Sequence, residues 1–318
     1  MYCLVTGAAG FIGGHLVERL LADGHSVIGI DNVYKNYKDY TWYTIDLVKE
    51  KNLEKYFRGI DWVFHLAGRS DIVPSITQPS AYHDVNVTGT VRVLEACRKA
   101  HVKRFVYIAS STCYGDHPPI PTPETAPIDP KFPYALTKYI GELYALHWAR
   151  VYKLPVVSLR LFNVYGPRSR ASEEYGPVFS TLLAQKLAGK PFTVVGDGTQ
   201  KRDFTYVSDV VEAVVLAAKS RVVGEVFNVG TGHPQSVNRL VELLGGQRRV
   251  HIPKRPGEPE VTQADITKIK KVLGWSPKIS FEEGVKIVLA HINDWKDAPV
   301  WTPATIKKAT KDWFRYLK

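Results

Sequence analysis

The sequence predicts an α/β fold, a doubly wound parallel sheet carrying a smaller C-terminal lobe. Three observations predict it. Short apolar runs of strand length alternate with longer segments of helical apolar spacing through the first half of the chain. The strand runs are apolar throughout rather than alternating, as in strands covered by helices on both faces. A glycine-spaced turn joins the first strand to the first helix.

The elements follow in order. YCLVT (2–6) reads as a buried strand. FIGGHLVERLLADG (11–24) reads as a helix with Phe11, Ile12, Leu16, Leu20 and Leu21 on one face and Gly24 as its stop. SVIGID (26–31) is the second strand, and a third precedes Asp46. LVKEKNLEKYF (47–57) carries a helical pattern. DWVFHLA (61–67), RFVYIAS (104–110) and VVSLRLF (156–162) are strands. Between them, SAYHDVNVTGTVRVLEACRKA (80–100) and YALTKYIGELYALHWARVY (134–152) are helices. Beyond about residue 165 the chain turns to Gly, Pro and polar turns, as in YGPRSRASEEYGP (165–177). Helical FSTLLAQKLAG (179–189) and VVEAVVLAAKS (210–220) alternate there with short strands such as EVFNVG (225–230). The expected organisation is a first domain over 1–165, with 203–230 returning to it. A smaller substrate-binding lobe comprises 166–202 and 231–318. WTPATIKKATKDWFRYLK (301–318) reads as one amphipathic basic helix packed on the core.

Composition narrows the function classes. The 318 residues carry 42 Lys and Arg against 31 Asp and Glu, a net charge of +11. The basic residues are scattered at helical spacing, which describes solvated helix faces rather than a nucleic-acid stripe. Three cysteines, widely spaced and without CxxC, exclude a disulfide framework and a zinc site of the usual spacing. They point to a reducing, cytoplasmic home. No apolar run is long enough for a membrane span, and the N-terminus lacks the basic region of a signal peptide.

Four stretches carry chemistry. In TGAAGFIGG (6–14), Gly7, Gly10 and Gly13 lie three apart, one residue different from G-x-G-x-x-G. Such a turn lets backbone approach a pyrophosphate at a helix N-terminus. Asp31 ends the second strand, where a carboxylate binds ribose hydroxyls and repels a 2′-phosphate, so NAD is favoured over NADP. With Asn32 behind it, Asp31 also suits a turn. Asp46, followed by Leu47, either contacts adenine or caps the next helix. ASSTCYG (109–115) places the hydroxyls of Ser110, Ser111 and Thr112 at a strand end, as sugar ligands or as a polar terminus. In PYALTK (133–138), Tyr134 and Lys138 stand one helical turn apart. A lysine cation and a positive nicotinamide ring would both lower a phenol from its usual value near ~10, making it a general base for an alcohol.

Together these residues resemble the extended short-chain dehydrogenase/reductases, specifically the nucleoside-diphosphate-sugar 4-epimerase and dehydratase group, with a Rossmann-type sheet. TGAAGFIG, Asp31-Asn32, HLAG (65–68), NVTGT (86–90), ASSTCYG, PYALTK, RLFNVYGPR (160–168), GDGTQKRDFTYVSD (196–209) and RPGEP (255–259) stand in that family's order. The resemblance implies Ser110, Tyr134 and Lys138 as the catalytic set. It implies an NAD site lined by Gly7, Gly10, Phe11, Ile12, Asp31, Asn32, Asp46, Leu47, Leu66, Ala67, Gly68, Tyr134 and Lys138. On the substrate side it implies Ser111, Thr112, Asn163 at the phosphates, Arg202 and Arg255 clamping the diphosphate, and Glu258 on a ribose hydroxyl. UDP is the family's default nucleotide. It also implies no metal, and a homodimer formed through the helices at 80–100 and 134–152.

The departures from the family shape the expected activity. Ser111 and Thr112 stand where the 4,6-dehydratases carry an Asp-Glu pair, so water elimination lacks its acid and base. Thr112 also replaces the glutamate usual in the decarboxylases. Cys113 replaces a valine, with no chemical role assigned. Gln263 stands near a position where galactose epimerases carry a bulky tyrosine, so larger C2 substituents are admitted. The expectation is an NAD-dependent 4-epimerase. The alternatives are a C4 dehydrogenase releasing a 4-keto sugar nucleotide, then a dehydratase. The intact Ser110, Tyr134 and Lys138 set argues against a non-catalytic nicotinamide sensor.

Overall fold

The structure is a computed structural model that describes residues 1–33, 39–169, 175–246 and 248–317. The middle of the YGPRSRASEEYGP stretch, 170–174, lies outside the described residues.

In chain order the elements begin with β1 (Tyr2–Thr6), α1 (Phe11–Ala22), β2 (Ser26–Asp31), β3 (Thr41–Thr44) and β4 (Trp62–His65). They continue with α2 (Ile72–Thr77), α3 (Pro79–His83), α4 (Thr90–Lys99), β5 (Arg104–Ser110), α5 (Pro133–Tyr152) and β6 (Val156–Leu161). Next come β7 (Val164–Tyr165), α6 (Val178–Leu187), β8 (Phe192–Val195), β9 (Lys201–Arg202), β10 (Thr205–Tyr206), α7 (Val207–Lys219) and β11 (Glu225–Val229). The chain closes with β12 (Gln235–Ser236), α8 (Val237–Leu243), β13 (Arg249–Ile252), α9 (Thr267–Leu273), α10 (Phe281–Ala290), α11 (Pro303–Ala309) and α12 (Lys311–Tyr316).

Seven strands form one parallel sheet in the order β11-β6-β5-β4-β1-β2-β3. The order reverses between β1 and β4. A crevice opens there outside the strand ends, and it is where open α/β sheets bind ligands. Both faces are covered, which explains the continuous apolar strands. Leu16 and Leu20 of α1 pack with Val210 and Val214 of α7 on one side. Val93 and Cys97 of α4 pack with Ala145 and Ala149 of α5 on the other. β11 returns from the second half of the chain to pair with β6. Three two-stranded pairs, β10-β7, β12-β9 and β13-β8, accompany the main sheet. Among the described residues no helix is long and apolar enough to cross a membrane.

Three expected helices take a different form. The pattern over 47–57 yields only a 3₁₀ turn at Leu53–Tyr56. Asp46 Oδ1 accepts from the Val48 N–H at 2.9 Å, and Arg92 of α4 takes the carbonyls of Val48 and Glu50. Those carbonyls are the acceptors a helix would have needed. The segment 80–100 stays helical but passes through a π turn at Asp84–Gly89. The C-terminal segment is two short helices rather than one. The Thr310 hydroxyl donates back to the Ile306 carbonyl at 2.8 Å where α11 ends.

Candidate active site

The cofactor cradle is built by glycine. Gly7 adopts φ +72°, and a Cβ there would lie 2.7 Å from the Ala67 nitrogen. A Cβ on Gly13 would lie 2.1 Å from the Gly7 carbonyl oxygen. Only glycine permits this closeness. α1 starts after an extended Gly10 with no side-chain cap, so the N–H groups at Phe11 and Ile12 face an anion site. This cradle fits a dinucleotide pyrophosphate.

Asp31 Oδ2 accepts from the Ala9 N–H at 3.0 Å, and Oδ1 accepts from Val33 at 3.2 Å. The carboxylate therefore ties the glycine loop to the β2 end and also makes the turn its neighbour suggested. Asn32 is exposed beside it. Asp46 caps the turn that follows β3, and Leu47 is buried in the core among α4 residues.

Leu66, Ala67 and Gly68 leave β4 on the other side of the crevice. A hydrogen-bonded chain runs beneath them. The Ala67 N–H donates to Thr6 Oγ1 at 3.3 Å, Thr6 and His65 Nδ1 are 2.7 Å apart, and His65 Nε2 is 2.9 Å from Thr90 Oγ1. The Thr90 hydroxyl donates to the Asn86 carbonyl at 2.7 Å. That direction makes His65 the Nε2–H tautomer, with Nδ1 accepting from Thr6. Burial holds the imidazole neutral, pulling it down to about 3, with the Lys138 charge adding to the effect. Asn86, in the π turn, clamps Arg69 through both N–H and carbonyl and donates to Thr137 of α5 at 3.0 Å. The NVTGT motif contained Asn86, but nothing in the spacing foretold that its side chain would join three segments.

Ser110 ends β5, and α5 presents Tyr134 and Lys138 on one face. The Ser110 hydroxyl is 2.9 Å from Thr112 Oγ1. Tyr134 stacks on Phe132, ring centroids 6.4 Å apart. Burial pushes its phenol above the ordinary value, while the neighbouring Ser110 hydroxyl pulls it down; Asp71 and Cys113 add to the rise. This corrects the expected depression. Desolvation outweighs the pull of the Ser110 hydroxyl. Lys138 is buried over the Tyr107 ring, 4.6 Å from its centroid. Burial lowers its ammonium to about 8, with Glu142 one turn on restraining the fall. Glu142 in turn forms a buried pair with Arg160 at 2.6 Å and accepts from Ser158.

A cavity opens beside this set. Ser111, Thr112 and Phe132 line it together with Asn163, Arg202, Arg255 and Glu258. Asn163 Oδ1 accepts from the Thr262 hydroxyl at 3.0 Å. Arg255 meets Glu258 at 3.1 Å, and Arg202 stands 4.0 Å from the same carboxylate. Among the described residues the buried Arg255 Nε has no hydrogen-bond partner, a donor awaiting an acceptor. Gln263 turns its amide to the Gly232 carbonyl at 3.0 Å. Tyr175 and Trp313 also face Arg255, and no short-range pattern announced them.

A parallel sheet with a glycine cradle at its switch point and a Ser–Tyr–Lys set at the next strand end defines the class of dinucleotide-binding α/β proteins. Within it, the chain belongs to the NAD dependent epimerase/dehydratase family, which it matches over residues 3–230. It is 37% identical to the UDP-glucose 4-epimerase of Mycolicibacterium smegmatis over 305 residues, 90% of this chain and 96% of that one. The solved UDP-glucose 4-epimerase of Thermotoga maritima with UDP-glucose superposes with a TM-score of 0.88 at 36% identity, covering 92% of this chain and 99% of that one. The UDP-glucuronic acid 4-epimerase of Bacillus cereus, in complex with UDP-glucuronic acid and NAD, gives 0.85 at 33% identity, covering 92% and 99%.

Proposed function

We propose that this protein is an NAD-dependent nucleoside-diphosphate-sugar 4-epimerase acting on a UDP-sugar. One observation carries the reading: a cavity lined by Ser111 and Thr112, next in the chain to Ser110, and by Phe132, whose ring stacks on Tyr134, is also lined by Arg202 and Arg255. Gly7, Gly10, Phe11 and Ile12 hold the cofactor pyrophosphate, Asp31 and Asn32 the adenosine ribose, and Asp46 with Leu47 flanks the adenine. Leu66, Ala67 and Gly68 wall the crevice. NAD, when bound, supplies the hydride acceptor at the sugar C4 and the donor on its return.

Tyr134 takes the C4 hydroxyl proton, and Ser110 hydrogen-bonds the same oxygen. Lys138 holds the nicotinamide ribose and adds positive charge beside the phenolate. Ser111 and Thr112 contact the sugar. Arg202 and Arg255 grip the diphosphate as bidentate, permanently charged forks, with Asn163 beside them and Glu258 on the ribose. Because the grip falls on the non-reacting nucleotide, the 4-keto sugar is free to turn and present its other face. Tyr134 then returns the proton.

The 4-epimerase relatives support this reaction. The pairing of β11 with β6 supports assigning 1–165 and 203–230 to the cofactor domain, with 166–202 and 231–318 forming the substrate lobe. An apolar stripe on α5, with Leu136 45%, Leu143 47% and Val151 47% exposed, supports a homodimer packed through that helix. Three buried free thiols accord with a cytoplasmic location. No metal or nucleic acid enters the reading.

The test is incubation with UDP-, GDP-, CDP- and dTDP-sugars, N-acetylated ones included, in heavy water without added cofactor. A C4-inverted product with no net NADH and no solvent deuterium is expected. A 4-keto product with stoichiometric NADH would make the protein a dehydrogenase. Loss of one water would make it a dehydratase.

A further inference from the structure

The Arg255 guanidinium lies over two aromatic rings, 5.2 Å from the Tyr175 centroid and 5.2 Å from that of Trp313. Both rings are held by the C-terminal segment. Trp313 belongs to α12 and donates its Nε1–H to the Pro256 carbonyl at 2.7 Å, pinning the residue next to Arg255. Tyr175 meets Trp301 edge-on at 5.5 Å, and the Trp301 carbonyl accepts from Gln185 of α6 at 2.8 Å. Trp313 also touches Phe132, the ring stacked on Tyr134. Val73, Tyr175, Ile252, Ile306 and Trp313 close this region as a small core of its own. Arg255, Trp301 and Trp313 lie beyond residue 230, where the family match ends.

We propose that Trp313 is a positioning residue for substrate binding, acting through Arg255. An arginine side chain is long and loses much rotamer freedom when it grips a ligand. Held against two rings and beside a pinned proline, Arg255 has surrendered that freedom before the ligand arrives. Its Nε–H, without a partner among the described residues, and its fork, which Glu258 meets at 3.1 Å, are then held in one orientation for the diphosphate to take over. The C-terminal segment is thereby part of the substrate site. This inference rests on the reading of Arg255 as a diphosphate ligand.

The test is a double-mutant cycle on UDP affinity, read by calorimetry on the NAD-loaded protein, with Trp313→Leu, Arg255→Gln and the double variant. Trp313→Leu is expected to weaken UDP about five- to twentyfold, the scale of a desolvated cation–π contact. The double variant is expected to bind no worse than Arg255→Gln alone. In turnover, KM should rise by more than kcat falls. Trp313→Phe keeps a buried ring and loses the bond to Pro256. It should weaken UDP about two- to threefold, and it carries the same cycle if Trp313→Leu fails to fold. Additive losses would overturn the proposal, because Trp313 would then act independently of Arg255. Unchanged UDP affinity in the Trp313 variants would overturn it as well. Failure of the wild type to bind UDP would instead bring down the nucleotide-sugar reading, and this inference with it.

Discussion

Tyr134 is raised by burial and drawn down by the Ser110 hydroxyl, so on the proposed function its readiness as a base depends on positive charge brought beside it. Tyr134→Phe keeps the ring on Phe132 and removes the proton acceptor. Turnover should fall at least about 10³-fold, the scale of general-base loss, while absorbance shows an unchanged NAD content. Turnover near the wild-type rate would sink the mechanism. His65 gives a pH signature. Its value sits near 3 in the folded chain against an ordinary 6.5, so the unfolded chain binds the extra proton. The stability it contributes is complete above pH 6.5 and drains away as pH falls toward 3. The slope approaches about 1.4 kcal/mol per pH unit. Urea unfolding between pH 4 and 7 should show a shallower acid slope for His65→Gln than for the wild type; equal slopes would contradict a neutral buried imidazole. At this scale the sequence placed Ser110 at a strand end and Tyr134 and Lys138 one turn apart on a helix, because these positions follow local spacing. It hid the direction of the Tyr134 shift and the work of Asn86 and Trp313, which depend on burial and on distant segments.

On the proposed function, cofactor binding depends on the β1–α1 turn. Gly13→Ala would set a methyl 2.1 Å from the Gly7 carbonyl oxygen, and no flexible side chain is there to yield. The loop must open, so the purified variant should carry less than half the wild-type NAD, measured by absorbance after denaturation. Full occupancy would show that the cradle tolerates a wider turn. This turn was legible because its glycines answer a local steric demand, and the strands were legible because they are apolar on both faces. The segment 47–57 was not, since Arg92 from α4 claims its carbonyls. Nor was the break at Thr310, set by one hydroxyl turning back on its own helix.

For the whole molecule, the α5 stripe recurs at Leu136, Leu143 and Val151, a seam about twenty ångströms long at 1.5 Å per residue. Leu143→Asp places a charge in its middle. Light scattering should show a dimer for the wild type and a monomer for the variant, with NAD retained; a monomeric wild type would remove the dimer from the proposal. The parallel sheet could be read from strand–helix alternation, but the return of β11 to β6 could not, because pairing partners far apart in sequence leave no periodicity.

Glu258 lies between Arg202 and Arg255. On the proposed function, the pocket therefore carries its own anion, and a diphosphate arrives as a replacement rather than as a first counter-charge. Measured affinity is then the difference between two anions, which keeps the grip loose enough for release. Substrate and product bear the same diphosphate, so the internal carboxylate competes with both alike and favours neither direction of the reaction.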